Sequence, residues 1–322
     1  MTDILTPARR GLPYALAGPF RSFERNVVLV TLVPLAVMLL HATAVGLPLV
    51  AGIAVALGTP HVLATFGLYG DSELREVVRS DRVRLVWLPL LAIPMSALAF
   101  YVVNGSALLW LFTAFLIWQT HHFTKQNFGM VTFWTKARSL PGPTVAEKRL
   151  IKATTLVGGL GILRAVGEVP QHDALLRSAG LVLLALGTVA ILATWAGTRS
   201  VALLVVLAFY APLHLFEADL FAAAVAYQSA HGAQYYLMVG HVMGGDRSRS
   251  NRWPAVAALV LVVALGGAAL VAATRPSTTS SGRLAFGAAK GVVAAHFIAD
   301  ARLWRLRDPQ VRTIMRRRFE FL

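Results

Sequence analysis

Apolar stretches close to the 20 or so residues needed to cross a bilayer core recur along this whole chain, and that recurrence admits few architectures. Inside a bilayer every backbone N–H and C=O has to be satisfied within the spanning structure, so such stretches are read as helices. The expected fold class is all-α: a polytopic transmembrane helical bundle of about ten spans. They fall near residues 26–42, 47–69, 85–103, 107–133, 153–166, 178–196, 201–216, 220–244, 254–273 and 284–303. Of the 322 residues, 57% are hydrophobic and 14% charged, whereas a soluble domain averages about 25% charged. No long polar linker interrupts the pattern. One integral bundle (27–303) is therefore expected between an N-terminal arm (1–26) and a basic tail (304–322). The arm lacks the charged start, short apolar core and cleavage site of a signal peptide.

The net charge of +15 raises nucleic acid as a partner, but no basic segment comes with a nucleic-acid-reading motif. Topology explains the charge better, because lysine and arginine collect in cytoplasmic loops. Ten spans with both termini cytoplasmic place 24 of the 30 Lys and Arg residues on one side. An asymmetry of that size orients the bundle as a multi-pass protein of a bacterial-type inner (cell) membrane. Trp87, Trp110, Trp134, Trp195, Trp253 and Trp304 fall near span ends, as interface anchors do.

Against this background the stretch from Trp118 to Gly129 stands out. It carries His121, His122, Lys125, Gln126 and Asn127 at the end of an apolar run. Ionisable groups inside a membrane are costly and point to function. The other histidines sharpen the point. Six of the nine, namely His61, His121, His122, His231, His241 and His296, lie on spans two, four, eight and ten. All four spans run from outside to inside. At about 1.5 Å rise per residue, most of these histidines come to a similar depth in the inner half. His41 and His214 fall near outer helix ends and His172 in a loop, where incidental roles are expected.

Supporting groups share faces with these histidines. Asp300 is four residues after His296, Gln126 four after His122, and Lys125 four after His121. Gln234 and Tyr235 follow His231 by three and four. Metal-bound imidazoles usually give their second N–H to such groups. His121 and His122 point about 100° apart, so one is expected to ligate and the other to support, with Gln126 favouring His122. The candidate metal ligands are thus His61, His121, His122, His231, His241 and His296. Asp300, Tyr235 and Lys125 are candidate catalytic groups, and Gln126 and Gln234 candidate cofactor contacts. Lys125 also has the length to snorkel toward headgroups. Small residues beside the histidines (Gly58, Gly232, Gly291) permit close helix approach.

With no cysteine, thiolate and iron–sulfur sites are excluded. An imidazole-rich set with at most one carboxylate suits iron, zinc, copper or nickel. In a bilayer the natural substrate is a lipid, isoprenoid, carotenoid or other hydrocarbon, and oxidising it calls for activated dioxygen. The leading expectation is Fe(II) held by histidines, with O2 and a lipidic small molecule as partners and an electron donor where the reaction needs one. Two other classes stay open: a haem b electron-transfer protein with axial ligands such as His61 and His231, and a proton-coupled transporter using His, Asp300 and Lys290 as a relay. The HxxxH and HxxHH boxes typical of membrane desaturases and alkane hydroxylases are missing.

Taken together, Pro60-His61, His122-x-x-x-Gln126, His231 and His296-x-x-x-Asp300 resemble the bacterial Brp/Blh beta-carotene dioxygenase group. They also resemble histidine-rich bacterial membrane proteins whose C-terminal part reads like His296-Phe297-Ile298-Ala299-Asp300-Ala301-Arg302-Leu303-Trp304-Arg305. The likeness covers most of the chain in short motifs. It implies a polytopic enzyme using histidine-bound iron to cleave a carotenoid, with His61, His122, His231 and His296 as iron ligands. The group's early motif is similar to P-H-G with an acidic residue next, whereas Val62 follows His61 here.

Overall fold

A computed structural model describes residues 19–41, 57–58, 60–166, 170–216, 220–244 and 279–319. Among them the chain is helical and contains no strand. Most of the expected N-terminal arm, the first part of the second span, the basic segment 245–253 and the ninth span (254–273) lie outside the described residues.

The main helices, in chain order, are α1 (Pro19–Thr31), α2 (Val33–His41), α3 (His61–Gly67), α4 (Ser72–Ser80) and α5 (Leu88–Val102). They continue with α6 (Gly105–Ala137), α7 (Val145–Val166), α8 (Asp173–Thr194), α9 (Thr198–Ala208) and α10 (Pro212–Leu215). The last are α11 (Leu220–Gly244), α12 (Ser280–Leu303) and α13 (Pro309–Arg318). Three helical stretches are long and apolar enough to cross a membrane: Val83–Val102, Asp173–Thr194 and Ser280–Leu303. Two of them turn apolar side chains outward. Leu90, Leu91, Met95 and Leu98 on α5 are exposed, as are Val182, Leu186, Val189 and Leu192 on α8. Apolar faces of this size on a protein surface mark contact with an apolar phase or a partner.

Several boundaries differ from the sequence expectation, each for a local reason. In the described part of the second span, an α-helix runs from His61 to Gly67. Pro60 has no N–H to continue the ladder, so a fresh helix begins at His61 and the Gly58 carbonyl is left to the His61 side chain. The fifth helix starts eight residues early, at Val145. Thr144 and Glu147 form a capping box, in which the Glu147 N–H donates to Thr144 Oγ1 at 3.2 Å and the Glu147 carboxylate accepts from the Thr144 N–H. The seventh stretch is broken between Ala208 and Pro212, again at a proline. The basic tail forms α13, capped by Asp308 Oδ1, which accepts from the N–H groups of Gln310 and Val311. Arg318 on that helix is buried and donates to Asp71 at 3.1 Å and to Glu73 at 2.7 Å, tying the tail to α4.

Two close approaches set the site's geometry. Gly287 and Gly291 lie one turn apart on α12, a G-x-x-x-G spacing suited to tight packing. A Cβ on Gly287 would meet Phe100 and the Ser96 carbonyl at 2.8 Å; one on Gly291 would meet the Ala92 and Ile93 carbonyls at 2.9 Å. The backbones of α12 and α5 therefore nearly touch, which fixes the depth and rotation of α12. On α11, a Cβ on Gly232 would strike the Leu57 carbonyl and lie 2.9 Å from His61 Nδ1. This contact draws α11 onto the break before α3.

Candidate metal centre

Four helices converge on one buried cluster. His61 begins α3, His122 sits mid-way along α6, His231 mid-way along α11, and His296 in the C-terminal part of α12. All four side chains are buried. Ring centres of His61 lie 4.7 Å from His231 and 5.1 Å from His296. Those of His122 lie 4.9 Å from His231 and 5.2 Å from His296, and His231 and His296 are 5.9 Å apart. A metal–nitrogen bond of about 2.1 Å puts each ring centre roughly 3.2 Å from a shared ion, so tetrahedral neighbours fall near 5.2 Å and cis-octahedral ones near 4.5 Å. Four of the five separations fall in that range, and the His231–His296 pair is wider. Two overlapping groups of ligand atoms, His61/His231/His296 and His122/His296/Asp300, each lie within 4.8 Å of one another. The buried His/Asp group can hold a metal ion.

The hydrogen bonds leave the right atoms free. Nε2 of His61, His122, His231 and His296 has no hydrogen-bond partner among the described residues, and neither has His231 Nδ1. Buried polar atoms are normally paired, and each exception calls for an explanation. In two of the rings the other nitrogen is committed elsewhere. His61 Nδ1–H donates to the Gly58 carbonyl. His296 Nδ1 is 2.6 Å from Thr65 Oγ1. Thr65 has one proton to give, and its oxygen lies 2.6 Å from Tyr235 Oη and 3.1 Å from Asp300 Oδ1. Tyr235 Oη–H in turn donates to Asp300 Oδ1 at 3.0 Å. A consistent assignment runs from His296 Nδ1–H to Thr65 and on through Tyr235 to the carboxylate. It fixes His296 with its Nε2 lone pair facing the cluster. The second carboxylate oxygen, Asp300 Oδ2, faces His296 Nε2 at 3.6 Å and His122 Nε2 at 3.9 Å. The Phe297 ring stacks on His122 at 4.0 Å and holds its plane.

Thr65 was not singled out by the sequence reading, although it lies four residues after His61, on the same face of α3. The other candidates fall as follows. His121 and Lys125 share the exposed face of α6 and line a cavity rather than the cluster. His241 stacks on Phe319 at 5.4 Å, beside α13 and away from the other histidines. Gln126, which the sequence pattern paired with His122, instead donates to the His231 carbonyl at 2.9 Å and to Gln234 Oε1 at 3.0 Å. Gln234 donates onward to Thr31 and Asn127. These amides tie α6, α11 and α1 together, because the crossing of two helices, not spacing along one, chooses their partners. Lys290 is buried with its ammonium over the rings of Phe112, Phe115 and Phe286, outside the Asp300 hydrogen-bond chain. His214 is buried with Nε2 2.9 Å from the Val157 carbonyl, and His172 is exposed.

A cavity of about 770 Å³ opens beside the cluster, between α6, α11, α12 and the turn that follows α12. His122, Tyr235 and Asp300 form part of its wall, and Trp118, Phe133, Met238, Phe297 and Trp304 make much of the rest apolar. Its lining on α6 runs from Trp118 to Phe133, about 22 Å along the helix axis. No protein family, characterised relative or solved structure matches the chain.

Proposed function

We propose that this chain is a membrane-embedded, histidine-ligated non-haem iron oxygenase acting on a lipidic substrate, as the resemblance to the Brp/Blh group suggests. The observation that carries the reading is four buried, unpartnered imidazole nitrogens converging beside a lipid-sized, largely apolar cavity. The donor set supports iron. His122, His296 and Asp300 supply two imidazoles and a carboxylate, the combination that suits non-haem Fe(II) with open positions. His61 and His231 stand ready to complete or share the coordination. A haem reading is disfavoured, because rings 4.7–5.9 Å apart on several sides leave no slot for a porphyrin.

The surrounding bundle is read as ten spans with both termini cytoplasmic, in a bacterial-type cell membrane. The distribution of Lys and Arg supports that orientation.

Iron bound here would supply the activation of dioxygen toward an otherwise inert carbon framework. The protein's own groups do the rest. Thr65 and the Gly58 carbonyl hold the tautomers of His296 and His61. Tyr235 keeps one Asp300 oxygen occupied, so the other stays turned toward the histidines. Phe297 and Trp118 line the substrate side and exclude water. The test is dioxygen uptake by iron-loaded protein in nanodiscs supplied with bacterial carotenoid and isoprenoid extract. Uptake coupled to an oxidised lipid product, and missing in His122→Ala, supports the reading; no uptake with any lipid fraction overturns it.

A further inference from the structure

We propose that the cavity takes a long-chain amphiphile whose anionic head group is held by Lys125, Arg305 and Arg307. This inference rests on the cavity being the substrate chamber and names the class of substrate it admits.

The three cations all line the cavity. None of them has an ion pair among the described residues, whereas nearby arginines are neutralised. Arg302 bonds Asp81 at 2.9 Å and Asp308 at 3.0 Å, and Arg318 bonds Asp71 and Glu73. The acids of this region are thus already engaged. The only acidic residue on the cavity wall is Asp300, which is buried against the histidines and hydrogen-bonded to Tyr235 and Thr65. Charge is therefore segregated: one carboxylate at the cluster, three unpaired cations elsewhere on the wall. Much of the remaining wall is aromatic and thioether, from Phe128, Met130, Phe133, Met238 and Trp304. A neutral hydrocarbon would make no use of the cations, and a small polar anion would leave the apolar wall unfilled. An amphiphile satisfies both. The volume of about 770 Å³ is within the roughly 300–1,000 Å³ of small-molecule sites. With its head group at the cations, the molecule lies with its chain along the apolar wall. Carboxylate and phosphate head groups share the required chemistry, since both accept charge-assisted hydrogen bonds from Lys and Arg.

The test uses full-length protein in neutral maltoside micelles, with tritiated oleate, monooleoyl phosphatidate and oleyl alcohol as probes and iron measured on the same samples. The expected result is about one anion bound per chain, at least about tenfold tighter than the alcohol. The tighter of the two anions names the head group. Combined Lys125→Gln, Arg305→Gln and Arg307→Gln substitution brings anion binding down to the alcohol level with iron content unchanged. Each single substitution weakens it severalfold, which keeps the test decisive if the triple variant does not fold. Equal binding of alcohol and both anions, or undiminished anion binding in all the variants, overturns the assignment. Iron-loaded protein without anion preference sinks this inference alone. Anion preference in protein that takes up no iron supports it and sinks the oxygenase reading.

Discussion

Two buried polar regions of this bundle look alike in composition and differ in how their atoms are used. Around Arg164, near the C-terminal end of α7, the buried charge is matched by protein acceptors, although His214 Nδ1 beside it has no partner among the described residues. The guanidinium donates to Asp173 at 2.8 Å and to the carbonyls of Leu213 and Phe216 at 2.7 Å. His214 nearby donates to the Val157 carbonyl, and its other face packs against Gly180. The cluster of His61, His122, His231 and His296 is the opposite case. The Nδ1 atoms of His61 and His296 are hydrogen-bonded, whereas the four Nε2 atoms and His231 Nδ1 have no partner among the described residues. A satisfied polar region stabilises the fold. A region with converging unpaired lone pairs is held open for something else, at a standing cost of about 1–3 kcal/mol per unsatisfied group.

This contrast can be broken by substitution. The largest expected effect is His296→Ala, which takes iron from near one per chain to below about 0.2, by elemental analysis, with the helical content of the protein unchanged by circular dichroism. Next is Arg164→Met. It strands two carbonyls and a carboxylate and lowers stability by roughly 3 kcal/mol in detergent-titrated unfolding, while iron content is unaltered. Iron loss in that variant would erase the distinction between the two regions. Thr65→Val keeps the shape of α3 but removes the acceptor for His296 Nδ1. It weakens iron binding about 10- to 100-fold, measured by competition with a chelator. The smallest effect is in metal-free protein. His231→Leu removes two unpartnered nitrogens and leaves stability unchanged or raises it by about 1 kcal/mol. A clear loss there would mean that His231 is a structural residue like His214.

The sequence pattern carried part of this and for definite reasons missed the rest. That His61, His122, His231 and His296 could meet is visible because helical rise converts residue number into a level along each helix. Asp300 is visible because i and i+4 share a face. Gln126 favours His122 over His121 in the sequence, and His122 is the one in the cluster, but Gln126 bonds elsewhere; the better sign is Lys125, four after His121 and with it on the exposed face. A lysine on that face was the available sign that His121 points outward. Thr65 was overlooked because a lone hydroxyl in an apolar helix reads as filler; its role appears only when α11 and α12 bring Tyr235 and Asp300 to it. Gln126 was assigned to its own helix, yet bonds across to α11. The register of one helix against another is set by close contacts such as Gly232 on Leu57 and Gly287 on Phe100. These depend on pairings that no single-helix pattern contains. The Thr144–Glu147 capping box and the Gly287–Gly291 spacing, in contrast, were readable and bear directly on where α7 begins and how α12 sits.

The central claim is that the four imidazoles are a metal centre built for iron. Elemental analysis of the purified wild-type protein, taken with its absorption spectrum, tests this most directly. The account predicts close to one iron per chain, or two if the overlapping ligand groups are each filled, with no Soret band. Less than about 0.2 metal per chain, or a Soret band accounting for the iron, would contradict it.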